Sequence, residues 1–252
     1  MTEAPELQTR GLDKSFGALH VTRAVGLDLA RGARLGLIGP NGAGKTTLVN
    51  LLTGMLRQDS GEILLGGERI ERLPAEERVR LGLVRTHQIN TLLPEDTPRE
   101  HLAMGIAERD KVAWRAFRYA PEQHRCREEA GERLAAFGLG HVADRAVHAL
   151  AYGEQRLLEI AIALALKPRV LLLDEPAAGV PLAEAGVIHD TLDRLPADVA
   201  VLIIEHVMDL VFRFAREIAV LVQGAIIRRG PPEEIAADPE VRAVYLGRSL
   251  AA

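Results

Sequence analysis

The run Gly39-Pro40-Asn41-Gly42-Ala43-Gly44-Lys45-Thr46-Thr47 places glycines, one lysine and two hydroxyls in the spacing G-x-x-x-x-G-K-[ST]. Phosphate oxygens need several N–H donors converging on one small space, and glycines let the backbone curl around them without side-chain clashes. A helix that starts at Lys45 adds its own unpaired N–H groups and the positive end of its dipole. In such a loop Lys45 would bridge the β- and γ-phosphates of a nucleotide, and the Thr46 hydroxyl would ligate Mg²⁺. A second run, Val170-Leu171-Leu172-Leu173-Asp174-Glu175-Pro176, is apolar until it ends in two carboxylates. A buried parallel strand would deliver both acids to the crevice where open α/β sheets bind ligands. There Asp174 would hold Mg²⁺ through water, and Glu175 would orient and deprotonate an attacking water.

Three further residues stand at the expected ends of elements. Gln88 follows the short apolar run in LVRTHQ, His206 ends AVLIIEH, and Phe16 precedes the phosphate loop by about two dozen residues. An aromatic ring at that distance can stack on adenine. Singly, each reads as well as a surface Gln, a locally bonded strand-end His or a core Phe; their order along the chain is what raises them.

The elements needed to position these groups are legible in the hydrophobic pattern. Apolar runs bounded by turn residues and followed by helical spacing recur, as in an α/β fold with a mostly parallel sheet. Residues 6–37 read as short strands separated by Phe16-Gly17 and Arg31-Gly32, ending in ARLGLIG before the Gly-rich loop. KTTLVNLLTGML has helical spacing, and EILLGGERI reads as a strand with a Gly-Gly turn. From about 90 to 150 the chain turns rich in Arg, Glu, His and Ala, a helical insertion. After it come the apolar helix EQRLLEIAIALAL, stopped by Pro168, the strand VLLLD, the strand AVLIIEH and a hairpin turning near Gln223-Gly224. Asp238-Pro239 caps a terminal helix predicted over DPEVRAVYLG.

Composition narrows the class. The 252 residues are 48% hydrophobic and 26% charged, ordinary for a globular chain and unlike disordered or fibrous sequences. With 31 Lys+Arg against 35 Asp+Glu the formal charge is −4, which gives no basic field for nucleic acid. The single cysteine, Cys126, forbids an internal disulfide and fits a cytoplasmic setting. The N-terminal segment is charged and has no signal-peptide pattern, and no run is apolar and long enough to span a bilayer, so a membrane connection would go through partners. His101, His124, His141 and His148 lack the spacing of a zinc site. Trp114, Phe117 and Tyr119 among Arg115 and Arg118 fit an amphipathic, partner-facing or core helix better than a nucleic-acid patch.

The run Leu150-Ala151-Tyr152-Gly153-Glu154-Gln155-Arg156, just before the apolar helix and the paired acids, decides the family. With it the chain resembles the nucleotide-binding subunits of ATP-binding cassette (ABC) transporters from about Leu7 to Gly247, with all motifs in order. The resemblance implies a P-loop NTPase core of mostly parallel sheet, an N-terminal antiparallel β portion and a helical subdomain. Residues 1–252 would form one ABC ATPase domain, with 1–89 and 150–252 as the nucleotide-binding core and 90–149 as the helical subdomain. It implies ATP and Mg²⁺, with Phe16 on adenine, Gly39 to Thr47 on the phosphates, and Thr46, Gln88 and Asp174 around the metal. Glu175 would be the base, His206 would contact the γ-phosphate, and Lys45 and Gln88 would complete the catalytic set. Ala151, Gly153 and Glu154 would belong to a signature that completes the site of a second ATP-binding subunit, placed head to tail. The other partners would be transmembrane permease subunits, with this chain peripheral on the cytoplasmic face of the plasma membrane.

The signature in this family is commonly L-S-G-G-Q, so Ala151 lacks the hydroxyl that would reach a γ-phosphate, while the Gly153 amide and helix dipole remain. L-A-Y-G-[DE]-Q-R is similar to the version in branched-chain amino-acid importers, as are Asp174-Glu175-Pro176-Ala177-Ala178-Gly179, the long basic insertion and the terminal Val241 to Gly247. Gly179-Val180-Pro181-Leu182 stands where the subfamily usually has Gly-Leu-Asn-Pro and the wider family an Asp, and Val207 stands where a carboxylate is frequent. The expected function is therefore an ATPase subunit energising amino-acid uptake, branched-chain amino acids foremost. The alternatives are a cassette for urea or amide import, a cassette for lipid or lipopolysaccharide export, and a non-transport ABC clamp.

Overall fold

The structure, a computed structural model, describes residues 4–86, 92–113, 120–180 and 182–243, residues 182–185 by their backbone alone. The chain forms two compact units, one of residues 1–83, 169–175 and 196–252, the other of 84–168 and 176–195.

The first unit carries two sheets. Strands β1 (Leu7–Phe16), β2 (Leu19–Leu29), β4 (Ser60–Leu65) and β5 (Glu68–Arg69) form an antiparallel sheet in the order β2-β1-β4-β5. Its turns fall at Gly17 and at Gly66-Gly67, as the sequence predicts. The second sheet contains β3 (Arg34–Ile38), β6 (Leu83–Arg85), β7 (Val170–Asp174), β8 (Ala200–Ile204), β9 (Glu217–Val222) and β10 (Ala225–Gly230) in the order β10-β9-β3-β8-β7-β6. β9, β3, β8 and β7 run parallel, and β10 returns antiparallel to β9. β6 is where the chain passes from the first unit to the second.

Strand alternation gives this sheet two apolar faces. Leu35, Leu37, Ala219 and Leu221 join Leu48, Val49, Leu51 and Leu52 of helix α1 (Lys45–Thr53) and Leu7, Leu12, Val25 and Leu27 of the antiparallel sheet in one core. Ile38, Ile218 and Val220 face the other way, toward Val211 of α7 (Met208–Phe214), Ile235 of α8 (Pro232–Ala237) and Val241 of α9 (Pro239–Val241). A short helix α2 (Ala75–Arg80) contributes Arg78, 2% exposed, to the same unit. Its guanidinium donates to the carbonyls of Leu51 and Leu52 at 2.7 Å each, Leu73 at 3.0 Å and Glu71 at 3.1 Å, so a buried cation closes the C-terminal end of α1.

The second unit is helical: α3 (Pro98–Arg109), α4 (Ala120–Ala136), α5 (Tyr152–Ala165) and α6 (Leu182–Asp193), with 3₁₀ turns at Gly140–Val142 and Val147–Ala149. α3 starts with Pro98 behind a reciprocal cap in which Thr97 and Glu100 satisfy each other's backbone amides. α5 is buried on most of its surface, from Gly153 through Ala165. Arg109 binds Asp110 and Glu129 through paired hydrogen bonds of 2.6 to 2.9 Å, tying α3 to α4. Helices α2, α6, α7 and α8 are additions to the pattern read from the sequence. The terminal helix is described only as far as α9 and the two residues after it.

Candidate active site

The phosphate loop spans the step from β3 to α1. Gly44 takes φ 103° as the residue before α1 and, having no side chain, gives that helix no side-chain cap. Ala43 N–H donates to Pro40 O at 3.1 Å, which folds Asn41 and Gly42 into an exposed turn. Thr46 is exposed and Thr47 half-buried.

The loop is braced from two sides. A Cβ on Gly44 would lie 2.6 Å from Val21 O of β2, and one on Gly224 would collide with the same carbonyl. Gly224, in the two-residue turn between β9 and β10, donates to Ala43 O at 2.9 Å and accepts from Arg23 N at 2.8 Å. Gln223 and Gly224 have φ 48° and 83°, the left-handed pair of a tight hairpin.

Lys45 Nζ donates to Gly39 O at 2.6 Å and Pro40 O at 3.1 Å, which holds the ammonium inside the loop. Burial lowers the Lys45 pKa from its ordinary value, and the nearby Glu175 and Asp174 pull it part of the way back. β3 and β7 flank β8, with Leu37 and Asp174 both level with Ile204, so the loop and the paired acids emerge at the same edge of the sheet. Asp174 is 3% exposed. Glu175 N–H donates to Ile204 O at 2.8 Å, and its φ of 49° puts a non-glycine residue in the left-handed region. Such a conformation costs about 1–3 kcal/mol and persists where the surroundings over-determine it.

His206, just past β8, brings Nδ1 to 3.6 Å from Glu175 Oε1. Glu205 precedes it, fully buried, and was not singled out by sequence reasoning. Its Oε2 accepts from His206 N at 2.9 Å and Val207 N at 3.2 Å. The only sequence signal for it is an acid that continues an apolar strand, easily passed over as a strand end reaching solvent. The structure thus brings Lys45, Asp174, Glu175 and His206 to one strand-end crevice. Phe16, 50% exposed, ends β1 opposite Leu19, on the hairpin whose Val21 lies against Gly44. Lys14 Nζ sits 5.6 Å from its ring centroid. Gln88 lies outside the described residues.

The signature lies in the helical unit. Ala151 precedes α5, and Glu154, in its first turn, turns its carboxylate back to accept from Ala151 N at 2.8 Å while holding His141 Nε2 at 3.0 Å. Gly153 is buried in the first turn of α5. The Tyr152 hydroxyl accepts from Arg156 at 2.6 Å, and its ring lies 3.1 Å from where a Cβ on Gly179 would be. Arg156 in turn pairs with Glu159 at 2.8 Å. Burial pushes the Glu159 carboxyl up despite that partner. Val180 donates to Ala177 O at 3.2 Å, whereas Pro181 lies outside the described residues, as do Trp114, Arg115, Phe117, Arg118 and Tyr119. The insertion histidines have local partners: His101 with Leu93 N and Thr97 O, His148 with Pro94 O, and His124 with Glu128.

Among the described residues no helix is long and apolar enough to cross a membrane. Residues 22–178 match the ABC transporter family, and residues 229–251 match the branched-chain amino acid ATP-binding cassette transporter family. The chain is 38% identical to the high-affinity branched-chain amino acid transport ATP-binding protein BraF of Pseudomonas aeruginosa, covering 97% of this chain and 99% of that protein. The LivG protein of Escherichia coli, with the same described role, is also 38% identical over the same shares. A crystal structure of the ADP conformation of MJ1267, an ATP-binding cassette of an ABC transporter, superposes with a TM-score of 0.84 at 31% identity, covering 96% of this chain and 99% of that one. The cbiO1 structure from Clostridium perfringens, part of an ABC transporter complex, gives 0.79 at 26% identity, covering 98% of each chain. A phosphate loop, paired acids and histidine in one crevice, on a chain matched over most of its length by this family, show that it belongs to the ABC transporter ATP-binding subunits.

Proposed function

We propose that the chain hydrolyses ATP to energise the uptake of amino acids, with branched-chain amino acids as the transported class. The observation that carries the catalytic part is the convergence of Lys45, Asp174, Glu175 and His206 on the edge of the sheet where the uncapped α1 begins. Lys45 and the loop amides hold the phosphates, and Phe16 offers its exposed ring to adenine. Glu175 accepts the proton of the attacking water, and His206 contacts the γ-phosphate. The hard oxygen donors available here, the Thr46 hydroxyl and the buried Asp174 carboxylate at the end of β7, fit Mg²⁺, and Gln88 would join them. Bound Mg²⁺ would neutralise charge developing on the phosphates.

The signature at 150–156 grips a nucleotide held by a second ATP-binding subunit facing head to tail, which makes hydrolysis depend on a dimer. The helical segment at 90–149 is the docking surface for transmembrane permease subunits, which places the chain peripherally at a membrane. The C-terminal match at 229–251 and the two 38% relatives favour branched-chain amino acids over urea, amides or lipids. ATP-driven leucine uptake into proteoliposomes, with this chain and its co-purifying permease, tests the assignment. Nucleotide turnover with no leucine, isoleucine or valine transport would leave the ATPase reading in place and remove the substrate class.

A further inference from the structure

Glu205 is a fully buried carboxylate just past the end of β8, and none of the roles above uses it. It follows β8, which lies between β3, the strand leading into the phosphate loop, and β7, the strand ending in the paired acids. A buried carboxylate is expensive to desolvate and is kept only where good donors meet it. Here a single oxygen, Oε2, receives the next two backbone amides, His206 N and Val207 N. Charge-assisted bonds of this kind are the strong ones. They fix the turn that leads from β8 into α7, whose first residue is Met208. The same oxygen lies 3.8 Å from His206 Nδ1, while Glu175 Oε1 lies 3.6 Å from it. The imidazole itself is about half exposed, with a side-chain exposure of 55%. What positions it is its root.

We infer that Glu205 is a positioning residue for His206: its buried carboxylate fixes the backbone at 206–207 so that the imidazole stands beside Glu175, ready for the γ-phosphate. The inference rests on the reading of His206 as a γ-phosphate contact. It separates nucleotide capture, which belongs to the loop and Phe16, from turnover, which depends on where the ring stands.

The full-length chain, assayed with its permease subunits, tests this with Glu205→Met, Glu205→Gln, His206→Ala and the double variant Glu205→Met/His206→Ala. Methionine fills the space and removes the buried charge, a change that folded proteins often tolerate. Glu205→Met should lower kcat by about tenfold or more while the ATP dissociation constant, by calorimetry, moves less than about threefold. Glu205→Gln keeps one acceptor oxygen and should recover most of the rate. The double variant should be no slower than His206→Ala, because the residue to be positioned is already gone. Equal losses of affinity and rate in Glu205→Met, or multiplicative losses in the double variant, would overturn the positioning role. A wild-type rate in His206→Ala would instead overturn the reading of His206 on which the inference stands.

Discussion

Replacing Arg78 by Met should strip the end of the helix that carries the phosphate loop. The side chain is 2% exposed and donates to four carbonyls, two of them, Leu51 and Leu52, in the last turn of α1. Burial lowers its pKa from the ordinary value and Glu71 partly offsets this, but a guanidinium stays charged at any accessible pH. Methionine retains much of the apolar volume, so the loss is the charge-assisted bonds and the favourable cation at the helix C-terminus, about 2 kcal/mol for the latter in buried geometry. Relief from desolvating the guanidinium works in the opposite direction by several kcal/mol. The expected net destabilisation is about 2–4 kcal/mol, which for a chain of this size lowers Tm by roughly 5–15 °C. Calorimetric melts and urea titrations with unchanged m-value measure it. A companion variant, Gly54→Ala, would put a Cβ 2.8 Å from Arg78 Nε, so its penalty should shrink once Arg78 is Met. A loss below about 0.5 kcal/mol for Arg78→Met would refute the argument that this cation holds the helix end.

Lys45→Ala should weaken ATP binding by about 3 kcal/mol, more than a hundredfold, since it removes the one lysine that the loop encloses; wild-type affinity by calorimetry would sink the assignment. Phe16→Ala should cost roughly 1–2 kcal/mol of ATP affinity through lost stacking, whereas an unchanged constant would return the ring to a structural role. Glu175→Gln should bind ATP normally but leave it unhydrolysed, and light scattering should show a dimer with ATP and none with ADP. A monomer throughout, with partner subunits present, would refute the head-to-tail arrangement. Hydrogen bonds from Arg109 hold Asp110 and Glu129 at about 2, so their stabilisation is complete at neutral pH and is lost as pH falls from the unfolded carboxylate range toward that value. Helicity followed in urea at pH 7 and pH 3 should show this loss, and Arg109→Met should flatten it; equal pH dependence in both proteins would show that the pairing is idle.

Much of the fold and the outline of the site were legible in the sequence because the chemistry forces a pattern. A phosphate loop must have glycines next to a lysine, and a strand that carries acids to a crevice must be apolar up to its last residues. Arg78 was hidden for the opposite reason. In AEERVR it looks like one more charge on a solvated helix, and only the carbonyls of Leu51 and Leu52 in α1, 27 and 26 residues earlier in the chain, explain its burial. Glu205 was hidden by its neighbour, since His206 drew the chemical reading and the acid before it read as the strand reaching water. The left-handed backbone of Glu175 has no signature in residue type. The short helices α2, α7 and α8 span at most seven residues each, too few for helical periodicity to declare itself.

The bracing of the phosphate loop by Gly224 bears on how this protein can be engineered. A two-residue hairpin turn such as Gln223-Gly224 looks like a convenient place to insert a tag, a fluorophore or a permutation point. In this chain the turn is fastened to Ala43 and Arg23 and pressed against Val21, so an insertion there would be felt as a defect in nucleotide handling. A tolerance map across the surface should therefore show an intolerant spot at Gly224, far in sequence from the phosphate-loop motif. That spot marks a supporting wall of the site rather than a residue that touches ATP.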